Sequence, residues 1–140
     1  MQRQQSREPY PRHLFLLALP GLISVEGNPV RHLLPPQVIK VLDLKCPDSG
    51  ESGAMDWKNC DLVTSTDQIK FVVASFADFE WSRTICEKFR LLEKCSILFS
   101  PVAGKVKPVE LAEWILTSEI PVTMQIQLHK EIWGPEKRGV

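Results

Sequence analysis

Hydrophobic positions along the chain change period several times, and each change marks an element. VIKVLDL (38–44) is apolar at most positions and rich in β-branched residues. It stops at KCPDSGESG, where Pro47, Gly50 and Gly53 stand among small polar residues. That pattern predicts a strand running out into a loop. MDWKNCDLV (55–63) has room for a short helix, and QIKFVVA (68–74) carries the near-continuous hydrophobicity of a strand buried on both faces. Ser75 and Asp78 then open a helix, and either side chain is able to cap exposed N–H groups. Along 78–92, Trp81, Ile85, Phe89 and Leu92 recur at helical spacing and predict one apolar stripe lying on a sheet. CSILFS (95–100) predicts the next strand, followed by the loop PVAGKVK. Pro108 suits a first helical turn, where its missing N–H is not needed. VELAEWILTSE then predicts a helix with Leu111, Ile115 and Leu116 on one side, and PVTMQIQL (121–128) predicts a last strand.

Strands alternating with helices of this length predict right-handed βαβ units and a parallel sheet, an α/β fold. Ligands on such sheets bind at the carboxyl ends of the strands. Those ends read Asp43-Leu44-Lys45-Cys46, Ala74-Ser75, Ser100-Pro101 and Gln127-Leu128-His129-Lys130, so polar residues gather where the topology expects a site. The strand 38–44 would leave an unpaired edge, a template for misassociation. The apolar segments LFLLAL and LISVE are the candidates to cover it, as a substitute strand or helix. No internal repeat or low-complexity tract occurs.

Composition narrows the function classes. A chain of 140 residues is one ordinary domain, and 17 basic against 17 acidic residues give zero formal net charge. That balance carries no electrostatic footprint for nucleic acid. Cys46, Cys60, Cys86 and Cys95 show neither a C-x-x-C pair nor zinc-ligand spacing, so reduced thiols are expected rather than a disulfide framework or metal knuckle. Arg3, Arg7 and Arg12 before LFLLAL resemble a signal peptide. No A-x-A-like site follows, however, and Pro20–Gly21 interrupts a run too short to span a bilayer. The expectation is a cytoplasmic protein with no membrane partner.

Several catalytic signatures are absent: no G-x-S-x-G elbow, no phosphate-loop motif, no G-x-G-x-x-G fingerprint. Asp48 and Glu51 fall in a loop where solvation explains them, and His13 and His32 have no partners. His129 falls where a strand is expected to leave the sheet. It could hold a ligand's hydroxyl or carboxylate, or be satisfied by backbone, and position does not separate the two. Lys45 is equally open between anion pairing and a solvated loop charge. Trp133 reads most simply as core or rim packing.

DLKCP-SGE, IKFVVASFADFEWS, ILFSPV, ELAEWIL and QLHKEIWGPEKRGV together resemble the C-terminal part of 7-carboxy-7-deazaguanine synthases, radical S-adenosylmethionine (SAM) enzymes of queuosine and 7-deazapurine biosynthesis. The resemblance covers roughly residues 36–140. It implies the C-terminal part of a partial (β/α) barrel and a homodimer, with SAM, a [4Fe–4S] cluster and Mg²⁺ as cofactors. It also implies a small pterin substrate, 6-carboxy-5,6,7,8-tetrahydropterin, converted to 7-carboxy-7-deazaguanine with loss of ammonia. Carried over by position, Asp43, Leu44 and Lys45 match a strand end that contacts SAM, and Gln127, Leu128, His129 and Lys130 match another. Val140 matches a C-terminal residue that folds over substrate, with Trp133 and the Gly134–Pro135 turn steering the terminus inward. The family's commonest wording at the first strand end is S-P-K; here it is Asp43-Leu44-Lys45, with Lys45 kept.

The family's C-x-x-x-C-x-x-C cluster triplet is absent from this sequence, as are its G-G-x-P-type and E-T-S-G-type strand ends, although Ser24-Val25-Glu26-Gly27 resembles the approach to the latter. Residues 1–35 are therefore expected to be irregular or aberrant, and 36–140 to be the barrel portion. One expectation is a truncated or frame-disrupted gene product recognisable from near Leu34, with another polypeptide possible as the source of the missing half. No catalytic residue or metal ligand is assigned, and the chain alone is expected to be inactive. The alternatives are a non-catalytic remnant that still binds a nucleoside-like ligand, and a small α/β binding or dimerising module.

Overall fold

The computed structural model describes residues 14–16, 22–26, 39–49, 57–134 and 136, the first two segments as backbone. Six strands form one sheet in sequence order: β1 (Leu14–Leu16), β2 (Leu22–Glu26), β3 (Ile39–Lys45), β4 (Gln68–Val73), β5 (Ser96–Pro101) and β6 (Thr123–Met124). β1 runs antiparallel to β2, and every later neighbour pair is parallel. β2 lies in register with β3 from Leu22↔Ile39 to Glu26↔Asp43, so LISVE does cover the edge of β3 as a strand.

The helices are α1 (Lys58–Leu62), α2 (Phe76–Lys88), α3 (Leu91–Lys94), α4 (Pro108–Ser118) and α5 (Leu128–Trp133). Side chains of α1 to α4 join one apolar core with Leu42, Leu44, Ile69, Phe71, Val73, Ile97 and Phe99, which alternate along their strands and so share one sheet face. Phe99 sits between Phe71 and Phe79 at ring-centroid distances of 5.3 Å to each, and Trp114 of α4 reaches Phe79 at 5.8 Å. Strand order follows chain order without reversal, and the crossover helices lie on one face. That is the winding of a (β/α) barrel wall rather than of a doubly wound sheet. Among the described residues no helix is long and apolar enough to cross a membrane.

Four expectations need correction. β4 is not buried on both faces: Ile69, Phe71 and Val73 are buried, whereas Gln68, Lys70 and Val72 on the opposite face are only half-buried. The stripe ending at Leu92 breaks because Arg90 takes a left-handed conformation (φ 52°) between α2 and α3. This resets the helical phase, so Leu91 is buried and Leu92 exposed. On α4 the inward residues are Leu111, Trp114 and Ile115, and Leu116 is 76% exposed, five positions from Leu111 and hence off its face. The last strand is far shorter than 121–128. Pro121 offers no N–H, and the Val122 N–H turns back to Ile120 O at 2.9 Å. One further rung, Gln125 N–H to Phe99 O at 2.8 Å, closes the ladder before the chain coils into α5.

The α4 assignment predicts a contrast. Leu111→Ala should cost about 3 kcal/mol of unfolding free energy as a buried cavity. Leu116→Ala should stay within about 0.5 kcal/mol. Urea unfolding of both variants checks it, and similar losses at the two positions would refute the assigned face.

Candidate functional site

At the carboxyl ends of β3, β4 and β5 lies a cavity of about 320 Å³. Leu44, Lys45, Cys46 and Asp48 line it from β3 and its loop, Val72 and Ala74 from β4, Val102 and Lys105 from the segment after β5. Lys45 and Val72 are register partners on the sheet face opposite the helices, whereas Leu44 and Cys46 belong to the helix-side core. Two lysines, one carboxylate and small apolar walls suit a partly apolar ligand with an anionic group.

The geometry of this rim depends on Asp78, which is 1% exposed in the first turn of α2. Its Oδ2 accepts from the Ala74 N–H at 2.9 Å, and its Oδ1 accepts from the Asp48 N–H at 3.1 Å. One carboxylate therefore ties the end of β4 to the loop leaving β3. Ser75 caps α2 by accepting from the Asp78 N–H at 3.1 Å and donates its own hydroxyl to Asp48 Oδ2 at 2.5 Å. Ser82 donates to the Asp78 carbonyl at 2.8 Å and lies 3.4 Å from Cys46 Sγ. The capping role expected of Ser75 is observed, whereas Asp78 serves as a cross-loop tie.

Of the sequence-predicted site residues, Lys45 lines the cavity and pairs with Asp43 Oδ2 at 3.0 Å, Asp43 lying two residues back on the same face. Leu44 touches the cavity but points into the core, 3% exposed. Gln127 stands at the N-cap position of α5 without a side-chain capping bond, and Leu128, His129 and Lys130 are helical rather than at a strand end. Leu128 is 60% exposed, and His129 is half-buried and outside the cavity lining. Lys130 comes near enough to Lys70 on β4 to perturb it. Trp133 is 50% exposed and α5 buries none of its residues, so it is not core packing; the early end of β6 leaves α5 off the sheet. Gly134 ends α5 with φ 88°, while Pro135 and Val140 lie outside the described residues.

Sequence reasoning missed Lys70, Asp78 and Lys105 as contributors. The signal for Lys70 was present, since Gln68 and Lys70 alternate with Ile69, Phe71 and Val73. Burial pushes the Lys70 ammonium below its usual range; the Asp43 charge opposes that shift, while Lys45 and Lys130 add to it.

The described residues offer no thiolate set for an iron–sulfur cluster. Among the described residues no three His, Cys, Asp or Glu side chains gather as a metal site. Burial pushes the thiols of Cys46 and Cys86 up to about 12, and those of Cys60 and Cys95 to about 11, so all four are held as thiols at neutral pH instead of the thiolates a cluster requires.

Two predictions follow from these contacts. Asp78→Ala should lower stability by about 3 kcal/mol, since two backbone donors lose a charged acceptor. Asp78→Asn, which keeps one acceptor oxygen, should cost less; denaturant unfolding decides, and equal costs would exclude the double tie. Folding raises these thiol values above the ordinary 9.0, so an unfolded chain releases the protons first. Their contribution is full below about pH 9 and is lost as pH climbs toward 11–12. Thiolate absorbance followed against pH in folded and urea-unfolded chain checks this, and ionisation of Cys46 near pH 9 in the folded chain would contradict it.

The chain resembles proteins of established name. It is 36% identical over 151 aligned residues to the 7-carboxy-7-deazaguanine synthase of Koribacter versatilis, covering 97% of this chain and 67% of that protein. The enzymes of the same name from Chlorobaculum tepidum and Clostridium acetobutylicum are 43% and 39% identical, covering 92% and 71% of this chain and 58% and 45% of theirs. The chain thus spans about half to two thirds of these relatives' length. Coverage of 97% leaves only a handful of residues outside, so the similarity enters residues 1–35 and does not begin near Leu34. No family model matches the chain, and no solved structure matches it significantly.

Proposed function

The chain belongs to the 7-carboxy-7-deazaguanine synthase family, and on that premise we propose that its carboxyl-end rim binds SAM in a radical SAM lyase. The reaction it would serve is the conversion of 6-carboxy-5,6,7,8-tetrahydropterin to 7-carboxy-7-deazaguanine in queuosine biosynthesis. The observation that supports this most is the cavity where Lys45, the best-matched residue of the family strand end, meets Asp48, Val72, Ala74, Val102 and Lys105.

Lys45 and Lys105 supply ammonium donors, Asp48 supplies an acceptor, and the apolar walls exclude water from one side of the ligand. Leu44, with its side chain in the core, would contribute through its backbone. Gln127, Leu128, His129 and Lys130 form a second, outer contact from α5, and Val140 the substrate contact. When bound, SAM supplies the hydrogen-abstracting deoxyadenosyl group; the protein's share is orientation and shielding.

A second reading, binding without cleavage, is supported by the missing cluster triplet and by the burial of Cys46, Cys60 and Cys86, with Cys95 half-buried. Both readings expect SAM affinity that falls about tenfold in Lys45→Ala, the loss of one charged hydrogen bond. Lys88→Ala, on the exposed side of α2, should change nothing. Equilibrium dialysis measures this, and equal affinities for the two variants would defeat the assignment. Anaerobic reconstitution with iron and sulfide separates the readings: this chain alone should develop no four-iron absorbance, and a cluster that forms and cleaves SAM would overturn binding without cleavage.

A further inference from the structure

At the amino end of the sheet, outside the cavity lining, three thiols converge in the helix layer. Cys60 lies on α1 ahead of β4, Cys86 in the last turn of α2, and Cys95 at the end of α3, leading directly into β5. Cys60 and Cys86 are 0% and 1% exposed members of the apolar core, and half-buried Cys95 packs against the same cluster. The chain path sets two of them side by side. After α2 the Phe89 and Arg90 N–H groups bond back to Ile85 O and Glu87 O, each at 3.1 Å, and left-handed Arg90 (φ 52°) reverses the chain into α3. The Cys95 N–H bonds to Leu91 O at 3.0 Å, and α3 packs against both α2 and β5. The folded-back chain thus returns Cys95 to the end of α2 that carries Cys86. Lys94 reaches Cys60 O at 3.4 Å, which fixes α1 at the same corner.

Solvent reaches these sulfurs unequally. Cys95 is open to a small reagent, whereas Cys60 and Cys86 are sealed. One accessible and one sheltered thiol have the layout of an attacking and a resolving cysteine. Of the charges around Cys86, Cys95 weighs most, ahead of Cys60 and Glu87; at Cys60, Asp61 and Lys94 weigh more than Cys95. Cys86 is therefore the resolving partner.

We propose that Cys95 and Cys86 form a thiol pair that a small disulfide, such as oxidised glutathione, converts to an intramolecular disulfide. The Cys95 thiolate attacks one glutathione sulfur and forms a mixed disulfide, releasing one glutathione thiolate that takes up the proton lost by Cys95. Cys86, deprotonated in turn, attacks Cys95 Sγ and expels the second glutathione, which takes up the second proton. Two protein thiols are oxidised and one glutathione disulfide is reduced to two thiols. The new bond would staple the end of α2 to the start of β5, and it is independent of the SAM reading.

Burial, with Asp67 adding to it and Lys94 opposing it, holds Cys95 up at about 11, and Cys86 stands at about 12. Reactive thiolate is scarce at neutral pH, so the reaction should run about tenfold faster at pH 8 than at pH 7. The full 140-residue chain, treated with oxidised glutathione under native conditions and mapped by mass spectrometry of its peptides, should yield a Cys86–Cys95 link with that pH dependence. Cys86→Ala should stop at the Cys95–glutathione adduct, Cys95→Ser should leave Cys86 unreacted, and Cys60→Ala should still form the link. The wild-type map decides by itself even where a variant fails to fold. A lasting glutathione adduct on wild-type Cys95, a link from Cys95 to Cys60, a link that forms only in urea, or no reaction would each overturn the pair.

Discussion

The rim depends on a carboxylate that stands outside the cavity lining. Asp78 is buried where α2 begins, and each of its oxygens holds a backbone N–H from a different segment, Ala74 at the end of β4 and Asp48 in the loop after β3. Burying a carboxylate is tolerable only when its lone pairs are satisfied. Here the satisfaction comes from groups that must be fixed for Lys45, Asp48 and Ala74 to face one cavity. Ser75 and Ser82 extend the same hydrogen-bonded chain to Asp48 and Cys46, so Ala74, Asp48 and Cys46 are all set by the start of one helix. The apolar core beneath supplies the bulk of stability, but it is indifferent to where the loops lie.

Much of this fold was legible because its signals are periodic. The strands at 38–44, 68–74 and 95–100 and the helices between them follow from runs of apolar residues of the right length, and the parallel order follows from the alternation of types. Legibility failed where a single residue overrode the period. Arg90 in the left-handed region shifts the phase between Phe89 and Leu91, which no count of hydrophobic spacings detects, because arginine carries no glycine-like warning. Pro121 and the turn at Val122 cut β6 short, and LHKEIW, with Leu128 and Ile132 four apart, then obeys a helical rather than a strand period.

The site was legible in location more than in membership. Lys45 was visible because it ends a strand, and strand ends are where this topology places ligands. Asp78 was visible only as a capping residue, since nothing in a sequence distinguishes a carboxylate that caps its own helix from one that reaches to a loop thirty residues earlier. Lys70 was passed over because five apolar residues around it suggested a strand buried on both sides, although its alternation with Ile69 and Phe71 marks a half-polar face. In a barrel wall that distinction matters, because the second face is the lumen.

The two faces of this sheet follow different physical logic. On the helix side the strand positions are apolar except Lys40, which faces Asp67, and the aromatic rings of Phe71, Phe79, Phe99 and Trp114 interlock, so most of the gain comes from burial. On the other side the chain places an aspartate, two lysines and a serine where Val or Ile would stabilise the strands better. A local violation of packing rules at a strand's carboxyl half, repeated on three neighbouring strands in register, is poorly explained by folding and well explained by recognition. Stability lost on that face is the counterpart of affinity available on it, because groups left incomplete in the free protein are the ones a ligand can complete.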